Sequence, residues 1–97
     1  MVKTKVKNWA VVHIKDDLSP FRILWAIIKH DERISSLKSG DYLCSSRVLY
    51  IKDNIVRTHT GSAYELVGLG AEYSASYGEL IQLMEGHSPT ELNLEVK

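Results

Sequence analysis

Between residues 59 and 96 there is no lysine and no arginine. That stretch instead carries six glutamates: Glu65, Glu72, Glu79, Glu85, Glu91 and Glu95. The cations are crowded into residues 1–58, where eleven lysines and arginines outnumber six acids, and Lys97 closes the balance at zero. Overall neutrality argues against a uniformly basic module that coats nucleic acid. The asymmetry between the two halves points instead to a charged interaction surface.

Cysteine is almost absent. A lone Cys44 excludes an internal disulfide framework and fits a reducing compartment, so a cytoplasmic location is expected. No apolar run approaches the roughly 20 residues of a membrane-spanning helix. The N-terminus begins basic, but its apolar run is brief and no small-residue cleavage site follows, so no secretory signal is expected. Repeats, low-complexity tracts and linkers are also missing. A chain of 97 residues of this composition is expected to form one domain, 1–97, with a modest core.

Chemical motifs are equally sparse. His13, His30, His59, His87 and Cys44 never form the close pairs from which structural zinc draws its ligands, so no metal is expected. Gly68-x-Gly70 lacks the third glycine and the strand–turn–helix context of a dinucleotide loop, so no cofactor is expected. Cys44 and His59 fall on different expected strands, and a Cys–His nucleophile would need them to meet across the sheet. The ordinary role of such a cysteine is a small buried hydrophobe, so the chain is read as a non-enzyme.

What is present organises the chain around residues 42–67. An apolar run, residues 48–51, is separated by Lys52-Asp53-Asn54 from a second, mixed apolar and polar run, residues 55–59. Thr60-Gly61 separates the second from a third, residues 62–67. This spacing predicts an antiparallel meander with tight turns. Residues 6–14 predict a first strand with Trp9, Val11 and His13 on one face and Trp9 as a core anchor. Ser19 and Pro20 predict at most one helical turn over residues 19–22. The continuous apolar run over residues 23–28 then predicts a strand covered on both faces. His30-Asp31-Glu32 is read as a charged turn, and Ser35-Ser36 and Ser39-Gly40 as loops around Leu37.

Beyond the joint Gly68-Leu69-Gly70, Ser76 and Glu79 predict a capping box that opens a helix, with Ser74 an equal candidate for its start because Gly78 weakens the first turn. Tyr77, Leu80, Ile81 and Met84 share its expected packing face, and Gly86 is its terminator. Ser88-Pro89-Thr90-Glu91 predicts a second, shorter helix, and the tail from Asn93 is either a frayed end or an added edge strand. The expected architecture is α+β: an antiparallel sheet of about five strands with one main C-terminal helix packed on one face.

Two surfaces stand out. Asp16, Asp17, Asp31, Glu32, Glu72, Glu79 and Glu85 are the candidate partner-binding carboxylates. Carboxylates on a rigid surface can take the place of phosphates on a nucleic-acid-binding protein. The alternative is a small nucleic-acid-binding module in which Lys3, Lys5 and Lys7, beside Trp9, follow a phosphate backbone along a basic N-terminal edge.

A short chain with no catalytic apparatus, one cysteine and polarised charge resembles the small phage-borne anti-CRISPR proteins, in general character those directed against type I-F surveillance complexes. The resemblance implies a stoichiometric inhibitor in the host bacterial cytoplasm. Such an inhibitor binds protein subunits of a bacterial CRISPR effector complex and blocks its DNA-binding surface, in some members by DNA mimicry. These inhibitors share no diagnostic motif, so the candidate carboxylates come from the charge pattern and not from alignment.

Overall fold

The structure, a computed structural model, describes residues 4–15, 18–31 and 41–97, the side chains of His30 and Asp31 excepted. Its elements run β1 (Thr4–Ile14), β2 (Phe21–Asp31), β3 (Tyr42–Cys44), β4 (Val48–Lys52), β5 (Ile55–Thr58), β6 (Ala63–Leu66), β7 (Ala71–Ala75), α1 (Tyr77–Met84) and β8 (Glu95–Val96). The meander is as expected. Asp53 and Asn54 both take the left-handed conformation, φ 52° and 65°, that a two-residue hairpin between β4 and β5 demands.

The α+β class holds, but the sheet has eight strands among the described residues and is not purely antiparallel. Its main order is β3-β2-β1-β6-β5-β4. Strand β1 pairs antiparallel with β2 along one side. On its other side it takes two successive parallel partners, β6 opposite Thr4–Val6 and β7 opposite Ala10–Ile14. An eleven-residue β1 is long enough to hold both short strands end to end.

The long strand does not keep one face throughout. Between Lys7 and Ala10 an extra residue is inserted opposite β2, and Asn8 there sits at φ 49°. Such a bulge shifts the alternation by one. Val6 therefore joins a cluster with Leu24, Ala26, Ile28, Val56 and Leu66. Ala10, Val12 and Ile14 join a second cluster on the opposite face with Ile23, Trp25, Ala75 and Leu83. Strand β2 contributes to both, which explains its unbroken apolar run.

Several local expectations change. No helical turn forms over the described part of residues 19–22, because Phe21 and Arg22 already pair with Ile14 and His13 in the β1–β2 ladder. His30 and Asp31 continue β2, opposite Lys5 and Thr4, instead of forming a turn. The expected loops around Leu37 lie outside the described residues.

The capping box of α1 is present: Ser76 Oγ accepts from the Glu79 amide at 3.2 Å, and Glu79 Oε1 accepts from the Ser76 amide at 2.9 Å. The helix ends where Gly86 turns left-handed, φ 113°, and the His87 amide bonds back to the Gln82 carbonyl.

Of the expected packing face of α1, only Leu80 faces the core. Leu83 is fully buried and Leu80 packs beside it, whereas Tyr77, Ile81 and Met84 are 50–59% exposed. Both sets recur at helical spacing, so periodicity alone could not decide which faces the sheet.

The expected second helix stops after one turn. Ser88 and Glu91 form a reciprocal capping box, but Asn93 takes φ 52° and the Leu94 amide returns to the Pro89 carbonyl, closing the segment at once. The tail then adds β8 beside β7, the edge-strand outcome.

Candidate anion-binding site

The β1–β2 end of the sheet carries an open cleft of about 540 Å³. Strand β1 supplies His13 and is followed by Lys15; β2 supplies Phe21 and Arg22. The β3–β4 connection supplies Arg47, β7 supplies Ser74, and the chain end supplies Lys97. His13 pairs with Arg22 on one side and with Ser74 on the other, so all three project from the same sheet face.

Two contacts fix the floor. His13 Nε2 lies 2.8 Å from Glu72 Oε1, and Lys97 Nζ lies 3.3 Å from His13 Nδ1. An ammonium only donates, so Nδ1 accepts and the Nε2–H is directed to Glu72. The Lys97 amide also bonds to the Glu72 carbonyl at 3.0 Å, holding the C-terminal lysine at the cleft. Lys15 meets the exposed Glu95 at 3.4 Å, a contact of little energetic weight at such exposure.

The arginines are arranged differently. The Arg47 guanidinium lies 4.6 Å from the centroid of the Phe21 ring. A guanidinium at that distance over an aromatic face is held by cation–π attraction, and a group of five donors so held can still donate to an oxyanion. Among the described residues no carboxylate pairs with Arg22 or Arg47. The cleft thus gathers four cations and one imidazole, and among the described residues carboxylates pair with His13 and Lys15 and not with the two arginines.

The candidate carboxylates do not share one role. Glu72 is taken by His13, and Glu79 is taken by the capping box. Glu85 is exposed at the C-cap of α1. Asp31 ends β2, while Asp16, Asp17 and Glu32 lie outside the described residues. Along α1, Glu79 and Glu85 are six residues apart, roughly a third of a turn out of line at 3.6 residues per turn.

The basic N-terminal edge is not an edge. Lys5 and Lys7 sit on β1 between β2 and β6, in the middle of the sheet, and Lys3 lies outside the described residues. Trp9 is half-buried, its Nε1–H given to the Gly68 carbonyl at 3.1 Å, so its indole is committed to the fold.

Cys44 and His59 are not brought together in strand order. Cys44 belongs to β3 and His59 follows β5; the His59 amide bonds to the Arg47 carbonyl at 2.8 Å, in the β3–β4 connection, but among the described residues no hydrogen bond joins the Cys44 and His59 side chains. Burial pushes the Cys44 thiol up to about 11, which keeps it protonated at neutral pH. Among the described residues there is no group of three or more His, Cys, Asp or Glu placed to hold a metal ion. No helix among them is long and apolar enough to cross a membrane.

Sequence reasoning missed Arg22, Arg47 and Lys97. Each is an isolated cation in the sequence; the excess of cations in the first 58 residues was the signal for Arg22 and Arg47, and nothing marked Lys97. No family model, curated protein or solved structure matches this chain.

Proposed function

We propose that this chain is a non-enzymatic binding protein that engages a phosphate-bearing partner, a nucleic acid, through the cleft formed by His13, Lys15, Arg22, Arg47 and Lys97. The observation that carries this reading is the convergence of four cations on one concavity, with Arg22 and Arg47 facing no carboxylate among the described residues. It keeps the nucleic-acid class that the sequence offered as an alternative and moves the site from the N-terminal lysines to the β1–β2 end. A fluorescein-labelled oligonucleotide, followed by anisotropy against salt, tests it. Four phosphate contacts predict a slope of log K against log[salt] near about −3 on a single strand. The double change R22A/R47A should lower affinity at least about tenfold and roughly halve that slope. Unchanged binding in the double variant refutes the cleft.

A second reading retains the inhibitor of a type I-F complex. What supports it is Glu85, a carboxylate at the C-cap, where the helix macrodipole disfavours negative charge, with no basic residue in the last turn. A side chain kept at an electrostatic disadvantage is a reasonable partner contact. Under this reading a tagged protein captures a CRISPR effector complex from bacterial lysate after nuclease treatment, and E85Q lowers the capture. Capture that disappears with nuclease removes it.

A further inference from the structure

We infer that the occupant of the cleft is a single strand, and that a base stacks on Tyr77 while its phosphates sit among Arg22, Arg47 and Lys97. The inference rests on the phosphate-binding reading of the cleft and adds the feature that tells a single strand from a duplex.

The aromatic side of the cleft leads outward. Phe21, stacked under Arg47, lies 6.0 Å from Tyr77, ring centroid to ring centroid, at an interplanar angle of 59°. Tyr77 opens α1 and is 50% exposed. The surface therefore runs from cations, through a guanidinium over an aromatic ring, to the half-exposed ring of Tyr77, which contacts Phe21 just beyond the residues that line the cleft. A cationic groove with aromatic platforms beside it is the arrangement that holds single strands without reading sequence, because every base has a π-face.

A duplex does not suit it. Its bases are stacked inside and present no face to Tyr77, and a cleft of about 540 Å³ is the size of a small-molecule pocket. An anionic membrane would use the exposed Ile81 and Met84 on the same helix. A flat headgroup layer, however, cannot follow cations into a concavity, which is why the strand is favoured.

The test uses the full chain with four probes: a fluorescein-labelled dT10 strand, the matching rU10 strand, a ten-base-pair duplex, and vesicles containing phosphatidylserine. The expected result is single-strand binding at least about tenfold tighter than duplex, weakened at least about fivefold in Y77A and retained within about twofold in Y77F. Whichever of dT10 and rU10 binds tighter identifies the sugar, and either supports the inference. If Y77A binds the strand as the wild type does, or the duplex binds as tightly, the stacking inference falls. The cleft reading survives that result when R22A/R47A is weakened, and falls with it when R22A/R47A is not. Vesicle binding without strand binding, lost in I81S/M84S, overturns both in favour of a membrane partner. Far-UV circular dichroism of Y77A checks that α1 is retained.

Discussion

Gly70 has no side chain because Trp9 occupies the space. A Cβ built on Gly70 would lie 2.2 Å from Trp9 Cδ2 and 2.4 Å from both Cε2 and Cε3. Carbon atoms in contact sit about 3.5–4.0 Å apart, so in G70A the indole must retreat by more than about 1 Å. The retreat strains a packed cluster, at about 1–3 kcal/mol, and breaks the bond from Trp9 Nε1 to the Gly68 carbonyl, worth about 1 kcal/mol. The expected destabilisation of G70A is about 2–4 kcal/mol, which lowers Tm by more than about 8 °C for a chain of this size.

Urea unfolding followed by far-UV circular dichroism measures it. G61A is the control: Gly61 has φ 89° and no atom within 4 Å of the place a Cβ would take, so it should cost only the backbone penalty, about 1–2 kcal/mol. The cause is isolated by a double-mutant cycle with W9A. Without the indole there is nothing to strike, so G70A should cost less than about 0.5 kcal/mol in that background. A G70A variant as stable as the wild type, or one equally destabilised with and without Trp9, refutes the steric argument.

Three further outcomes follow from the same geometry. L83A, which empties a fully buried site under α1, should cost about 2–5 kcal/mol, while I81A on the exposed stripe should change stability by less than about 0.5 kcal/mol; comparable costs would reverse the assignment of the packing face. S76A removes the hydroxyl that accepts the Glu79 amide and should cost about 1 kcal/mol in the same urea experiment, with S76D restoring most of it. Cys44 should react with iodoacetamide far more slowly at pH 7.5 than an unfolded cysteine peptide. Because its folded value, about 11, lies above the unfolded value of 9.0, its contribution to stability is constant below pH 9 and is lost as pH rises from 9 toward 11. Fast alkylation of the folded protein, or stability that rises over that interval, would contradict the burial of the thiol.

The sequence by itself determined the features that act over a few residues. Asp53-Asn54 selects a hairpin turn because those two side chains tolerate positive φ. Ser76 with Glu79, and Ser88 with Glu91, each satisfy free backbone amides within one turn. The apolar run in β2 announces burial on both faces, and the α+β class follows from such signals together.

Tertiary structure decided the rest, because the interactions involved span the chain. Parallel pairing of β1 with β6 and β7 joins segments some sixty residues apart, and hydrophobic pattern carries no record of strand direction. The bulge at Asn8 reverses the alternation of a strand whose residue types look uniform. The packing face of α1 was chosen by what lay opposite it, not by its own period. The cleft depends on His13, Arg22, Arg47, Ser74 and Lys97, which come from five separate parts of the chain and meet only when β1 brings its neighbours to one end. The net charge that hid this cluster is a sum over residues, and a field depends on where they stand.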